Sequence, residues 1–134
     1  MGVVSKFIKK AEADYWAGRT LKCCLLTVAH DYASAASQEH YADISANESV
    51  GTGYTAGGVL VTTGLTSGYS GTNAYVDTNN AVFSGITVPD ATYCAIYDSV
   101  TGDIMAQYDL GGTLVTTGGT LTLVWSASGI LTIS

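Results

Sequence analysis

Tyr93-Cys-Ala-Ile-Tyr-Asp98, Ser99-Val-Thr-Gly-Asp103 and Ile104-Met-Ala-Gln-Tyr-Asp-Leu110 follow one another without a break. The outer two are strand-length runs rich in apolar and aromatic residues. The five residues between them are turn formers around Gly102, so the stretch reads as a β-hairpin. In its second arm Ile104, Ala106, Tyr108 and Leu110 fall on one face and Met105, Gln107 and Asp109 on the other, the period of a strand with one face on a core. Working outward, further strands are expected at 58–63, 74–78, 81–83 with 86–88, 120–125 and 130–133, with no amphipathic helix after Tyr54. A second hairpin is expected over 120–133, with Leu121, Leu123 and Trp125 on a common face and 126–129 as its turn. Upstream, the run LKCCLLTV at 21–28 fits a strand buried on at least one face, and the Ala- and Ser-rich 29–38 reads as a loop with little packing value. Short strands at regular spacing predict a sandwich or a partly closed barrel.

The chain has 134 residues, enough for one core, so 1–134 reads as a single domain with a β-rich body over 21–134. Apolar residues make up 47% and charged residues only 12%, about half the ordinary charged fraction. Disorder is excluded. No apolar run approaches the ~18 residues of a membrane helix, so neither a membrane span nor a secretory leader is expected.

Charge is strongly segregated. All five basic residues, Lys6, Lys9, Lys10, Arg19 and Lys22, lie in the first 22 positions, where they outnumber Glu12 and Asp14 for a net +3. The other 112 residues hold nine carboxylates and neither Lys nor Arg. A body of that sign repels phosphate, which argues against nucleic acid as a partner. Lys is also a common guard of exposed sheet edges, and its absence predicts edges covered by neighbouring molecules.

Over 5–17, Phe7, Ile8, Ala11, Tyr15 and Trp16 fall on one helical stripe, and the charges lie mostly elsewhere. Ser5 can cap the start, and Gly18 can end the helix in the left-handed region. This basic helix is either a lid over the sheet or an arm that docks on an acidic neighbour, with Phe7, Ile8 and Trp16 supplying the apolar contact. The three cysteines, Cys23, Cys24 and Cys94, show no metal-binding spacing and read as buried free thiols, as expected of folding in a reducing compartment. Adjacent Cys23 and Cys24 point to opposite faces of a strand.

Catalytic signatures are weak. Gly51-Thr-Gly-Tyr-Thr-Ala56 matches a dinucleotide-binding pattern, but a strand follows where that fingerprint needs a helix, so it reads as a Gly-rich turn. The only imidazoles, His30 and His40, have no nucleophile-elbow partner, and neither the Asp98/Asp103 nor the Asp43/Glu48 turn has the ligand spacing of a calcium loop. No enzyme, no cofactor and no metal are expected. Tyr93, Tyr97, Tyr108 and Trp125 read as sheet packing, whereas Tyr32, Tyr41, Tyr54, Tyr69 and Tyr75 read as candidates for an interface or a glycan-contacting surface.

Several segments resemble, in order, a family of small virion structural proteins of tailed bacteriophages. They are Leu21-Lys-Cys-Cys-Leu-Leu-Thr27, Asn47-Glu-Ser-Val-Gly-Thr-Gly-Tyr-Thr-Ala-Gly-Gly58, Ala95-Ile-Tyr97, Ile104-Met-Ala-Gln-Tyr-Asp-Leu-Gly111 and Gly119-Thr-Leu-Thr-Leu-Val-Trp-Ser-Ala-Ser-Gly-Ile-Leu-Thr-Ile133. The Ser49-Val50 order, Leu110 in place of Phe and a shortened turn after Val100 depart from the family pattern. The resemblance implies an all-β particle component with one short N-terminal helix. Its leading role would be a capsid decoration or cement protein, assembled as a homo-oligomer on the major capsid protein or other virion proteins. A tail, neck or fibre-attachment part and a glycan-binding module are the alternatives. The residues expected to meet a partner are Lys6, Phe7, Lys9, Lys10, Trp16, Asn47, Glu48 and Tyr54.

Overall fold

The computed structural model describes residues 2–134. Its elements in chain order are α1 (Lys6–Ala17), β1 (Leu21–Leu26), a 3-10 helix (Tyr32–Ser37), the single-turn α2 (Tyr41–Ile44) running into a 3-10 turn (Ser45–Asn47), β2 (Val59–Leu60), β3 (Thr66–Ser70), β4 (Asn73–Asp77), β5 (Ala81–Ile86), β6 (Ala91–Asp98), β7 (Ile104–Leu114), β8 (Gly119–Leu123) and β9 (Leu131–Ile133). The protein is mostly β, in three antiparallel sheets ordered β2-β1-β6-β7, β3-β4-β9 and β5-β8, and none of them closes into a barrel. No described helix is long and apolar enough to cross a membrane.

The central strands β1 and β6 are buried on both faces because both of their faces are apolar. Leu21, Cys23, Leu25, Cys94 and Ile96 join β4, β5 and β8 residues such as Val76, Phe83 and Leu123 in the main core. Cys24, Leu26, Ala95 and Tyr97 point the other way, where Ile44 of α2 covers them. Cys23 and Cys24 therefore serve different cores, as their adjacency requires, and all three cysteines are buried free thiols. The 29–38 segment is more than a loop. Asp31 caps its 3-10 helix by accepting from the Ser34 N–H at 3.3 Å, and the Tyr32 ring stacks on Tyr93 at 4.8 Å.

The β6–β7 hairpin forms as expected, but its register shifts twice, between Ala91 and Tyr93 and, nearer the turn, between Ile96 and Tyr97. Ile96 opposes Ala106 while Tyr97 opposes Ile104, so Met105 is an extra residue, a β-bulge. The bulge breaks the period-two reading and sends Ile104 to the outer cluster beside Tyr97, away from Tyr108 and Leu110 in the main core.

The second expected hairpin does not form. The 126–129 turn closes, with Gly129 N–H donating to the Ser126 carbonyl at 3.0 Å, yet its arms part. β8 pairs with β5 through Phe83↔Leu121 and Ala81↔Leu123, and β9 pairs with β4 through Val76↔Leu131 and Ala74↔Ile133. Each arm finds an apolar partner strand with an open edge, and long-range pairing outweighs the local turn. β3 lies where no strand is expected, because Thr66–Ser70 is polar. Gly68 lets it form: a Cβ there would sit 2.5 Å from the Tyr75 hydroxyl, so the missing side chain makes room for that ring on β4. Gly18 ends α1 with φ −89, a right-handed close tightened by its N–H donating to the Asp14 and Tyr15 carbonyls, rather than the expected left-handed one.

Candidate assembly surfaces

Ser5 starts α1, its Oγ accepting from the Ile8 N–H at 3.3 Å, and the helix lies over β3 and β4. The face it packs is not the expected stripe. Ala13 is fully buried, and Lys9, Lys10, Trp16 and Ala17 are half-buried around it, a spacing of one helical face. The small Ala13 permits close approach, and the lysine stems cover apolar surface while their heads find partners at its edge. Lys9 Nζ donates to the Thr72 carbonyl at 3.2 Å, Lys10 pairs with Asp14 at 2.6 Å, and Lys6 lies 4.9 Å over the Tyr69 ring. Phe7 is consequently turned outward and 71% exposed, with Ile8 at 55%, Tyr15 at 48% and Val3 at 95%. Lid and arm are thus two faces of one helix: Trp16 works inward, Phe7 and Ile8 outward.

The other expected partner residues serve the interior. Glu48 accepts from the Tyr41 hydroxyl on one oxygen, and on the other from the Tyr54 hydroxyl at 2.5 Å and the Gly57 N–H at 2.7 Å. The Tyr54 oxygen in turn accepts from the Leu25 N–H at 2.9 Å, so the carboxylate ties α2 and the 48–58 loop to β1. Tyr97 donates to the Gly57 carbonyl at 2.7 Å and stacks on Tyr41. Asn47 contributes its carbonyl to the Thr27 N–H. Glu48 and Tyr54 therefore brace the fold from within, and the Tyr32, Tyr41 and Tyr54 rings stack on Tyr93, Tyr97 and Phe83 of the same chain. The 51–56 turn leads into β2, with Gly53 at φ +80. His30 is 5% exposed, its Nε2 2.6 Å from Gln107, and His40 pairs with Asp103 at 3.1 Å, a partner that its sequence neighbours did not suggest.

Burial first, and Glu48 second, holds the Tyr41 and Tyr54 phenols well above their ordinary value of 10, and burial does the same to Tyr97 and Tyr108. A phenol raised in the folded state contributes stability below pH 10 that is lost as pH climbs, since only the unfolded chain can ionise there. A fully shielded phenol costs at most about 1.4 kcal/mol per pH unit above 10, and the partly exposed Tyr41 costs less. Circular dichroism and tyrosinate absorbance followed together should show these four phenols ionising only as the fold is lost; their ionisation with the fold intact would contradict this.

One further surface was not foreseen. Between β7 and β8, the free edges of two different sheets, runs a groove of 440 Å³ lined by Tyr108, Leu110, Leu114, Leu121, Leu123 and Trp125, with Asp109 exposed beside it. Trp125 is held by its Nε1–H donating to the Asn79 carbonyl at 3.1 Å, and Tyr108 by its hydroxyl donating to the Ile130 carbonyl. The apolar spacing of 108, 110 and 121, 123, 125 is visible in the sequence, but it reads as ordinary core until the two strands are known to belong to different sheets. Comparison with protein-family models, curated proteins and solved structures finds no match to this chain.

Proposed function

We propose that the chain is a β-sandwich that works by assembly, as a tailed-phage virion structural protein decorating and cementing the head shell. The observation that carries the assembly reading is the outward stripe of α1 with the residues just before it, where Val3, Phe7, Ile8 and Tyr15 stand exposed on the one basic segment of an otherwise Lys- and Arg-free acidic body. The ordered series of virion-protein-like motifs supports the phage setting. Those motifs fall on β1, the Glu48-braced loop, β6, β7, β8 and β9, the frame of the fold. In this reading the chain bridges neighbouring subunits of the major capsid protein, and the added interface opposes shell opening by packaged DNA. Opposite potentials on arm and body fix register more than affinity.

The test is the copy number of the chain relative to the major shell protein in purified virions, by quantitative mass spectrometry. A ratio near that of the shell protein is expected. A handful per particle would assign the chain to tail, neck or fibre, and absence would overturn the virion reading. The double variant Phe7→Ser/Ile8→Ser should melt like the parent, because both side chains are exposed, yet occupy stripped shells at least tenfold more weakly, since burial of each is worth about 1.5–3 kcal/mol. Lys9 and Lys10 are poorer targets, being tied into the chain's own surface.

A further inference from the structure

Two exposed apolar surfaces among the described residues are complementary to one another. The groove between β7 and β8 has an apolar floor, two sheet edges along its sides and one charged lining residue, Asp109. An occupant should supply exposed apolar side chains on a short segment, with positive charge beside them. Residues 2–10 meet that description: Val3, Val4, Phe7 and Ile8 are all exposed, Lys6, Lys9 and Lys10 are the segment's only charged side chains, and 2–5 precede the helix without regular structure. In the single chain this arm is not in the groove, since Val3 is 95% exposed.

We infer that the N-terminal arm of one copy seats in the β7–β8 groove of a second copy, Val3, Val4 and Phe7 covering its apolar floor and Lys6 meeting Asp109. The contact is head-to-tail, because arm and groove are different surfaces. An open series keeps one free arm at one end and one free groove at the other until a ring closes, and an unclosed series grows as a filament. This contact deepens the assembly reading by naming its first partner, but it does not require the virion setting.

The experiment is sedimentation equilibrium of the full chain across a concentration series at low and high salt. Self-association weakened by salt is expected. Phe7→Asp, and separately Asp109→Lys, should weaken it at least tenfold without lowering the melting temperature. Lys6→Asp combined with Asp109→Lys should restore it. Phe7→Asp mixed with Asp109→Lys should give a 1:1 complex, since one retains the groove and the other the arm. Asp109→Asn, which keeps the oxygen that accepts from the Gly111 N–H, replaces the lysine variant should that one lose its fold. A parent chain monomeric at all concentrations would overturn the inference, as would association indifferent to the variants or an arm folded into its own groove. Shell binding by a strictly monomeric chain would sink this contact and leave the virion reading standing; self-association with no virion copies would do the reverse.

Discussion

Gly58→Ala is expected to remove most of the folding free energy, leaving no cooperative unfolding transition at 37 °C. Gly58 precedes β2 with φ +85, in the left-handed region, and a Cβ there would lie 1.8 Å from the Cys23 carbonyl oxygen and 2.6 Å from its carbon. Cys23 is on the central strand β1, fully buried and paired with Val59 on one side and Ile96 on the other, so it cannot retreat without breaking both ladders. Backbone strain alone costs about 1–2 kcal/mol, and displacing a close-packed strand adds at least as much again. The sum is comparable with the lower end of the stability of a domain this size. Gly71→Ala is the control: its φ is +63 but nothing lies within 4 Å of the added carbon, so it should lose only the strain. Urea denaturation of the two variants side by side measures the difference; equal losses would mean that the β1 contact is not decisive.

Asp98→Ala is expected to cost about 3 kcal/mol, because it removes a buried carboxylate that accepts from Arg19 and from two turn N–H groups, hydrogen bonds to a charged group being worth about 1.5–3 kcal/mol each. Asp98 is 0% exposed at the end of β6. Its Oδ2 accepts from Arg19 Nε at 2.6 Å, and its Oδ1 accepts from the Val100 N–H at 2.8 Å and the Thr101 N–H at 3.3 Å, which shapes the turn into β7. Burial acts to raise its pKa, but Arg19 and the two turn N–H groups outweigh it and hold the carboxyl below its ordinary 3.8. A group lowered in the folded state contributes stability above its unfolded pKa that is lost as pH falls. Parent stability should therefore drop as pH falls below about 4, and Asp98→Asn, which keeps an acceptor for the turn, should flatten that slope. Thermal melts from pH 6 to pH 2 read both effects; an unchanged slope in Asp98→Asn would show that the acid sensitivity lies with other carboxylates.

Much of the frame was legible in the chain itself. The runs at 93–98 and 104–110 pair as a hairpin, apart from the bulge at Met105, because their apolar faces and the Gly102 turn act over a few residues. Ser5 caps α1 because a hydroxyl reaches the N–H three residues on whatever the rest of the chain does. The charge segregation, the buried thiols and the turn chemistry of Asp98 are likewise local. Three matters were decided only in three dimensions. Residues 120–133 look like a hairpin, yet pairing with β5 and β4 gives each arm an apolar partner strand, which the turn cannot outweigh. The Phe7 stripe suits either the inward face of a lid or the outward face of an arm, and packing decides: α1 lies on β3 and β4 with Ala13 buried and Lys9, Lys10 and Trp16 half-buried, which leaves Phe7 outside. Glu48 and Tyr54 look like surface residues of a glycine-rich loop until the fold brings Leu25, Tyr41 and Gly57 to them. Periodicity records which residues share a face. Which face wins the core depends on competition between surfaces far apart in the chain, and only the tertiary structure, where volume and hydrogen bonds are satisfied together, decides it.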